Sequence, residues 1–242
     1  LSDVHANLVA LEAVLIHASS GGPIDALWCL GDTVGYGPQP SECIGELREM
    51  DAVWVAGNHE RAATGAIGTE DFNPDAATAA EWTMGRLSPN EATALDELPE
   101  VLSEGPFTLV HGTLRWPIWE YLASHEAALA HLALMTTPFG FVGHTHVPLI
   151  AIQEPHLPDD CEMYRLGDGA RIPLSADKKV VINPGSIGQP RDGDPRGSYA
   201  VYDTDQAAVT IHRVDYDIKH TQRLMTDAGL PLRLIERLAI GR

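Results

Sequence analysis

Asp3 and His5, Asp32, Asn58 and His59, His111, and His144 with His146 are side chains that could gather around a metal ion. The set mixes imidazole nitrogen with carboxylate and amide oxygen and holds no sulfur. That donor mixture suits Mn, Fe, Co, Ni or Zn more than a pure Mg or Ca site. Asp3 and His5 are separated by one residue, as are His144 and His146, and side chains at that spacing share a side in extended backbone. Asp32 adds a carboxylate able to bridge two cations, and Asn58 offers a neutral carbonyl oxygen. Each pair alone is a common accident. Asp32 alone reads as a cap and Asn58 as a turn residue beside Gly57. The joint pattern carries the weight, because each member follows its own apolar run.

Those runs predict the elements that must position the site. Residues 8–18 have helical apolar spacing behind Asn7, a good N-cap type. Residues 25–30, 52–56, 107–110 and 139–142 read as buried strands, each ending at one of the polar motifs. Helices are predicted over 41–50, 75–86, 89–98 and 126–135, strands over 149–152, 180–182, 198–202 and 208–214, and one or two helices over 219–238. Alternating strand and helix in the first half implies parallel α/β folding, and the strand-rich second half implies a second sheet. Ligands in open α/β sheets bind at the carboxyl ends of strands. Residues 1–7 read as the end of a strand entering a loop, with most of that strand lying before Leu1, and 1–242 as one domain.

In order, the segments SDVHAN (2–7), GDTVGYGP (31–38), GNHE (57–60), HGT (111–113) and GHTH (143–146) resemble the calcineurin-like metallophosphoesterase superfamily. GYGP, HGTLRWP and NPGSIGQPRDG (183–193) look closest to its small prokaryotic phosphodiesterase branch. The resemblance implies an α/β four-layer sandwich, two mixed β-sheets flanked by helices. It implies two divalent metals, manganese foremost, with Fe, Ni, Co or Zn as alternatives. Asp3, His5 and His146 would hold the first, Asn58, His111 and His144 the second, and Asp32 both. No ligand position of the family pattern is substituted, whereas HGTLRWP departs from the branch at positions that bear on substrate preference.

The implied activity is hydrolysis of small phosphodiesters by a metal-bridging hydroxide. By the same resemblance His59 is not a ligand but faces the substrate, and we expect it to protonate the leaving oxygen as an imidazolium acid. Arg115 and Arg191 are candidate phosphate-binding residues, since guanidinium forks match phosphate geometry; each also reads as a surface ion-pair partner. Glu60 reads either as a carboxylate orienting a metal-bound ring or as a solvated surface group. Trp116, Trp119 and Tyr121 read mainly as packing, with stacking on a nucleobase or aryl ester as the functional alternative, and Tyr36 likewise, with lining of the cleft as its alternative. The remaining histidines read as surface or helix-face residues. Rival functions are a phosphomonoesterase, including a Ser/Thr protein phosphatase, and a non-catalytic scaffold of the same fold.

Composition narrows the partners. With 34 acidic against 16 basic residues, the net charge of −18 disfavours long nucleic acids and leaves a small phosphate ester as the expected substrate. The same charge fits adaptation to a salty cytoplasm, in which case the melting temperature would climb steeply with KCl. No apolar run would span a bilayer. Three cysteines without a CxxC pattern point to a reducing cytoplasm rather than a disulfide framework.

Overall fold

Asn7 accepts the N–H of Ala10 through its side chain and so starts α1 (Leu8–Ser20). The computed structural model describes residues 1–242. Strand β1 (Trp28–Cys29) leads through a loop to α2 (Pro40–Glu49), whose first-turn proline lacks the N–H that would be unpaired there. Strand β2 (Val53–Trp54) then pairs in parallel with β1, Trp28 opposite Val53. Three helices follow: α3 (Asn58–Thr64), α4 (Pro74–Met84) capped by Asn73, and α5 (Pro89–Asp96) closed by a Ser88–Glu91 capping box.

The remaining elements are β3 (Val101–Glu104), β4 (Phe107–Val110), α6 (His125–Leu134), β5 (Phe139–Phe141), β6 (Leu149–Gln153), β7 (Glu162–Arg165), β8 (Arg171–Pro173), β9 (Lys179–Asn183), β10 (Gly197–Asp203), β11 (Ala208–Val214), α7 (Ile218–Asp227) and α8 (Leu232–Arg237). A six-stranded mixed sheet runs β3-β4-β5-β9-β6-β7, and a three-stranded antiparallel sheet runs β10-β11-β8. Within the larger sheet, β4, β5 and β9 are parallel neighbours.

The molecule is a mixed α/β fold of several sheets and helices. Its central core brings Phe107, Leu109 and Ile182 of the large sheet against Val209 and Ile211 of the small one, with Leu30 and Val55 from the ends of β1 and β2. Burying a side chain of this size contributes roughly 1.5–3 kcal/mol. On the outer face of the large sheet, Leu132 of α6 packs with Val142 and Val181. On the outer face of the small one, Leu11 and Val14 of α1 pack with Tyr199 and Val214. Helix, sheet, sheet and helix are thus stacked in the expected order. The second sheet layer comprises β1–β2 and β10-β11-β8, with a groove of about 920 Å³ between Trp28 and Tyr202.

The last two helices fold back over the loop after β1, where Met225, Leu230, Leu234 and Leu238 bury Tyr36 together with Ala76 and Ala79 of α4. No helix is long and apolar enough to cross a membrane.

Candidate metal centre

The carboxyl ends of β1, β2, β4 and β5 open onto one rim, and the polar motifs converge there. Asp3, His5, Asp32, Asn58, His59, His111, His144 and His146 are each at most 5% exposed. Asp32 Oδ2 lies 3.7 Å from His5 Nε2 and 3.2 Å from His111 Nε2, so one carboxylate stands between two clusters. Asp3, His5, Asp32 and His146 make up the first cluster, and Asp32, His111 and His144 the second.

The proximity of Asp3 to His5, and of His144 to His146, does not come from extended backbone. All four residues are left-handed, with φ of 52°, 51°, 65° and 58°, and Asp32 is too, at 52°. The expectation that each pair gathers is met, by tight turns rather than by strand geometry. Non-glycine residues in this region cost on the order of 1 kcal/mol each and persist where surroundings over-determine them. Main-chain bonds do so here: Asp3, His5 and Ala6 donate to the carbonyls of Gly31, Asp32 and Thr33.

Each imidazole is aimed by a backbone carbonyl. Nδ1 of His5 donates to Val34 O, Nδ1 of His111 to Leu30 O, and Nδ1 of His146 to Gln189 O. His144 is turned the other way, its Nε2 donating to Trp119 O. Those bonds turn the second nitrogen of each ring toward its neighbour, His5 Nε2 to His146 Nε2 at 3.1 Å and His111 Nε2 to His144 Nδ1 at 3.0 Å. The facing lone pairs of His5 and His146 repel unless a cation or proton lies between them. Asn58 Oδ1 is likewise buried with no hydrogen-bond partner. These atoms fit a divalent-metal pair, and the residues that would hold it are present.

The electrostatics favour neutral imidazole at three of the four rings and a protonated one at His111. Burial holds His5 and His146 well below the usual imidazole range and lowers His144 to about 3. Burial opposes charge on His111 too, but Asp32 beside it outweighs this and raises the ring to about 9. Asp32 is held well below the carboxylate range by His111 and His59 in spite of its burial, whereas burial pushes Asp3 up.

His59 follows Asn58 in α3 and donates its N–H to Asp32 Oδ1 at 2.9 Å. Its ring stands edge-on to His5 at 4.9 Å, and Nδ1 is buried without a partner against Gly35. Burial lowers it to about 4, so in the free protein the ring is neutral at neutral pH.

Three further expectations are corrected. Glu60 neither orients a ring nor meets solvent: fully buried, it accepts the N–H groups of Asp32, Thr33, Val34 and Gly57. Arg115 is not free for a phosphate, because Glu120 and Glu126 occupy its guanidinium. Among the aromatic residues, Tyr121 stacks on His144 at 4.0 Å and 8°, and Tyr36 borders both His5 and His59, at 4.5 and 4.4 Å. Arg191 does reach the rim, its Nη2 donating to Tyr36 Oη at 3.3 Å and Gln189 Oε1 at 3.0 Å. Sequence reasoning missed the carbonyls of Trp119 and Gln189, which carry no signal in residue type.

A family model described as "Calcineurin-like phosphoesterase superfamily domain" matches residues 1–207, so the chain belongs to that superfamily. The crystal structure of a metallophosphoesterase from Sphaerobacter thermophilus superposes with a TM-score of 0.88 at 45% identity, covering 100% of this chain and 98% of that one. An uncharacterised protein of Methanocaldococcus jannaschii is 37% identical over 249 residues, spanning 100% of this chain and 97% of that protein. A hypothetical protein of Pyrococcus horikoshii shares the fold, with a TM-score of 0.78 at 18% identity over 100% of this chain and 97% of that one.

Proposed function

We propose that the protein is a metal-dependent phosphoric ester hydrolase acting on small phosphodiesters, with Asp3, His5 and His146 on one metal, Asn58, His111 and His144 on the other, and Asp32 on both. The observation that supports this reading best is the pair of imidazole clusters that face each other across Asp32, His5 with His146 and His111 with His144. Divalent cations in such sites supply a water nucleophile at neutral pH and neutralise charge on the phosphoryl oxygens. Manganese is the metal we favour, with Fe, Ni, Co or Zn as alternatives.

The chain's own residues supply the rest. Arg191 has no carboxylate within ion-pair distance, which leaves its guanidinium to meet a phosphoryl oxygen. His59 faces the substrate and is not a ligand. A bound phosphate would raise its low pKa, and the ring nitrogen away from Gly35 would then pass a proton to the leaving oxygen. The buried setting of these groups strengthens each charge interaction.

The test is a substrate panel on protein loaded with Mn²⁺. Hydrolysis of bis(4-nitrophenyl) phosphate well above that of 4-nitrophenyl phosphate supports a diesterase. The reverse order identifies a phosphomonoesterase, and no turnover with metal bound identifies a scaffold.

A further inference from the structure

Tyr36 sits in a conformation that a bulky side chain rarely adopts. Its backbone is left-handed, with φ of 59°, and such a residue persists there only where its surroundings impose it. The flanking glycines show what imposes it. Gly35 lies against the His59 ring, Gly37 donates its N–H to His5 O at 3.0 Å, and a Cβ at either glycine would strike those groups. The turn thus threads between a candidate metal ligand and the histidine assigned to face the substrate. It brings the Tyr36 ring centroid to 4.5 Å from that of His5 and 4.4 Å from that of His59.

Packing by α7 and α8 accounts for the Tyr36 ring but not for its hydroxyl. Tyr36 Oη accepts Arg191 Nη2 at 3.3 Å, and its own proton has no acceptor in the protein. A phenol at neutral pH keeps that proton and can donate it. The neighbours are in the same state. Arg191 Nε and Gln189 Nε2 are buried donors without partners, while the glutamine's one acceptor, Oε1, is spent on Arg191 Nη2 at 3.0 Å. Three donors, one of them on a cation, therefore adjoin the metal centre with no acceptor among them. Buried donors left unpaired are unfavourable, so the cluster suits an anionic group rich in oxygen.

We propose that the Tyr36 hydroxyl is a substrate-binding group, donating to a phosphoryl oxygen of the scissile phosphate beside the contact made by Arg191. This rests on the hydrolase reading above. A bond to that oxygen strengthens as negative charge gathers on it, so the hydroxyl acts on turnover as well as on binding.

Tyr36→Phe removes the hydroxyl and keeps the ring against His5 and His59. The variant should keep its metal content by elemental analysis and its melting temperature. On Mn²⁺-loaded protein its kcat/KM for bis(4-nitrophenyl) phosphate should fall about 10- to 100-fold, the usual worth of a hydrogen bond to a charged group. Calorimetry gives a readout independent of turnover: inorganic phosphate should bind about tenfold more weakly to Tyr36→Phe. Repeating both measurements in an Arg191→Gln background separates direct contact from support of the guanidinium, and a loss of about the same size should recur there. Wild-type phosphate binding in Tyr36→Phe, or a loss that vanishes once Arg191 is replaced, would overturn the contact while leaving the hydrolase reading intact. Loss of metal from Tyr36→Phe would overturn it too, by placing the hydroxyl in the upkeep of the metal centre. If the loaded protein cleaves no ester but phosphate binding still falls in both backgrounds, the hydrolase reading fails and the hydroxyl contact stands.

Discussion

The carboxylate of Glu60 receives the N–H of Asp32 at 2.7 Å and, with the same oxygen, the N–H of Gly57 at 2.7 Å. One buried side chain thereby fastens the loop carrying Asp32 to Gly57, the residue that starts α3 ahead of Asn58. Glutamine at this position keeps the shape but turns an amide NH₂ toward N–H donors. Glu60→Gln should cost about 3 kcal/mol, from buried donors left unpaired. Its melting temperature should fall by roughly 6–12 °C, and calorimetric metal affinity should fall with it. A variant with unchanged melting and metal binding would contradict the clamp.

A second prediction concerns Gly35. It has φ of 83°, and a Cβ there would run into Nδ1 of His59. Gly35→Ala should displace the imidazole without touching a metal ligand. Metal content measured by elemental analysis should hold while kcat drops at least tenfold, an estimate from the usual worth of a positioned proton donor. Loss of metal along with activity would show that His59 and the ligands are not separable in this way.

His59 itself gives a sharper contrast. His59→Ala should retain both metals and lose roughly 10²–10⁴ in kcat. Asp32→Ala, by removing the carboxylate that stands between the clusters, should lose the metals as well. If His59→Ala emerged metal-free, its assignment as a substrate-facing group would be wrong.

Metal uptake should depend on pH with a definite sign. His111 is raised to about 9 by Asp32, against its burial, and Asp3 is raised by burial, so both tend to hold protons at neutral pH in the free protein. A metal binds the deprotonated forms. Apparent affinity should therefore rise with pH, through neutrality, and level off above about 9, with protons released on binding. Titration calorimetry in buffers of different ionisation enthalpy measures that release. A flat profile between pH 6 and about 9 would refute the coupling.

The donor set was legible because each motif is local and closes its own apolar run. Asp32 after Leu27–Leu30 and His111 after Phe107–Val110 announce themselves without any knowledge of pairing. Glu60 did not, since its partners in the Asp32 loop lie 26 to 28 residues away and residue type gives no hint of them. Helix α3 went unpredicted because it is only 7 residues long and is preceded by a glycine. Strands β3, β7 and β8 escaped because they are short and largely exposed, with polar residues where a buried strand would be apolar. Arg115 follows the ion-pair alternative that its sequence setting also offered, with Glu120 from later in the same loop and Glu126 from the first turn of α6.

The left-handed turns at Asp3, His5, Asp32, His144 and His146 restrict how such a centre can change over generations. Asparagine and aspartate tolerate that conformation, and β-branched residues do not. Drift at these five positions is thus confined to a narrow alphabet even if catalysis were no longer selected. A descendant that abandoned the chemistry would still carry the outline of its former centre in the backbone, long after the side chains had gone.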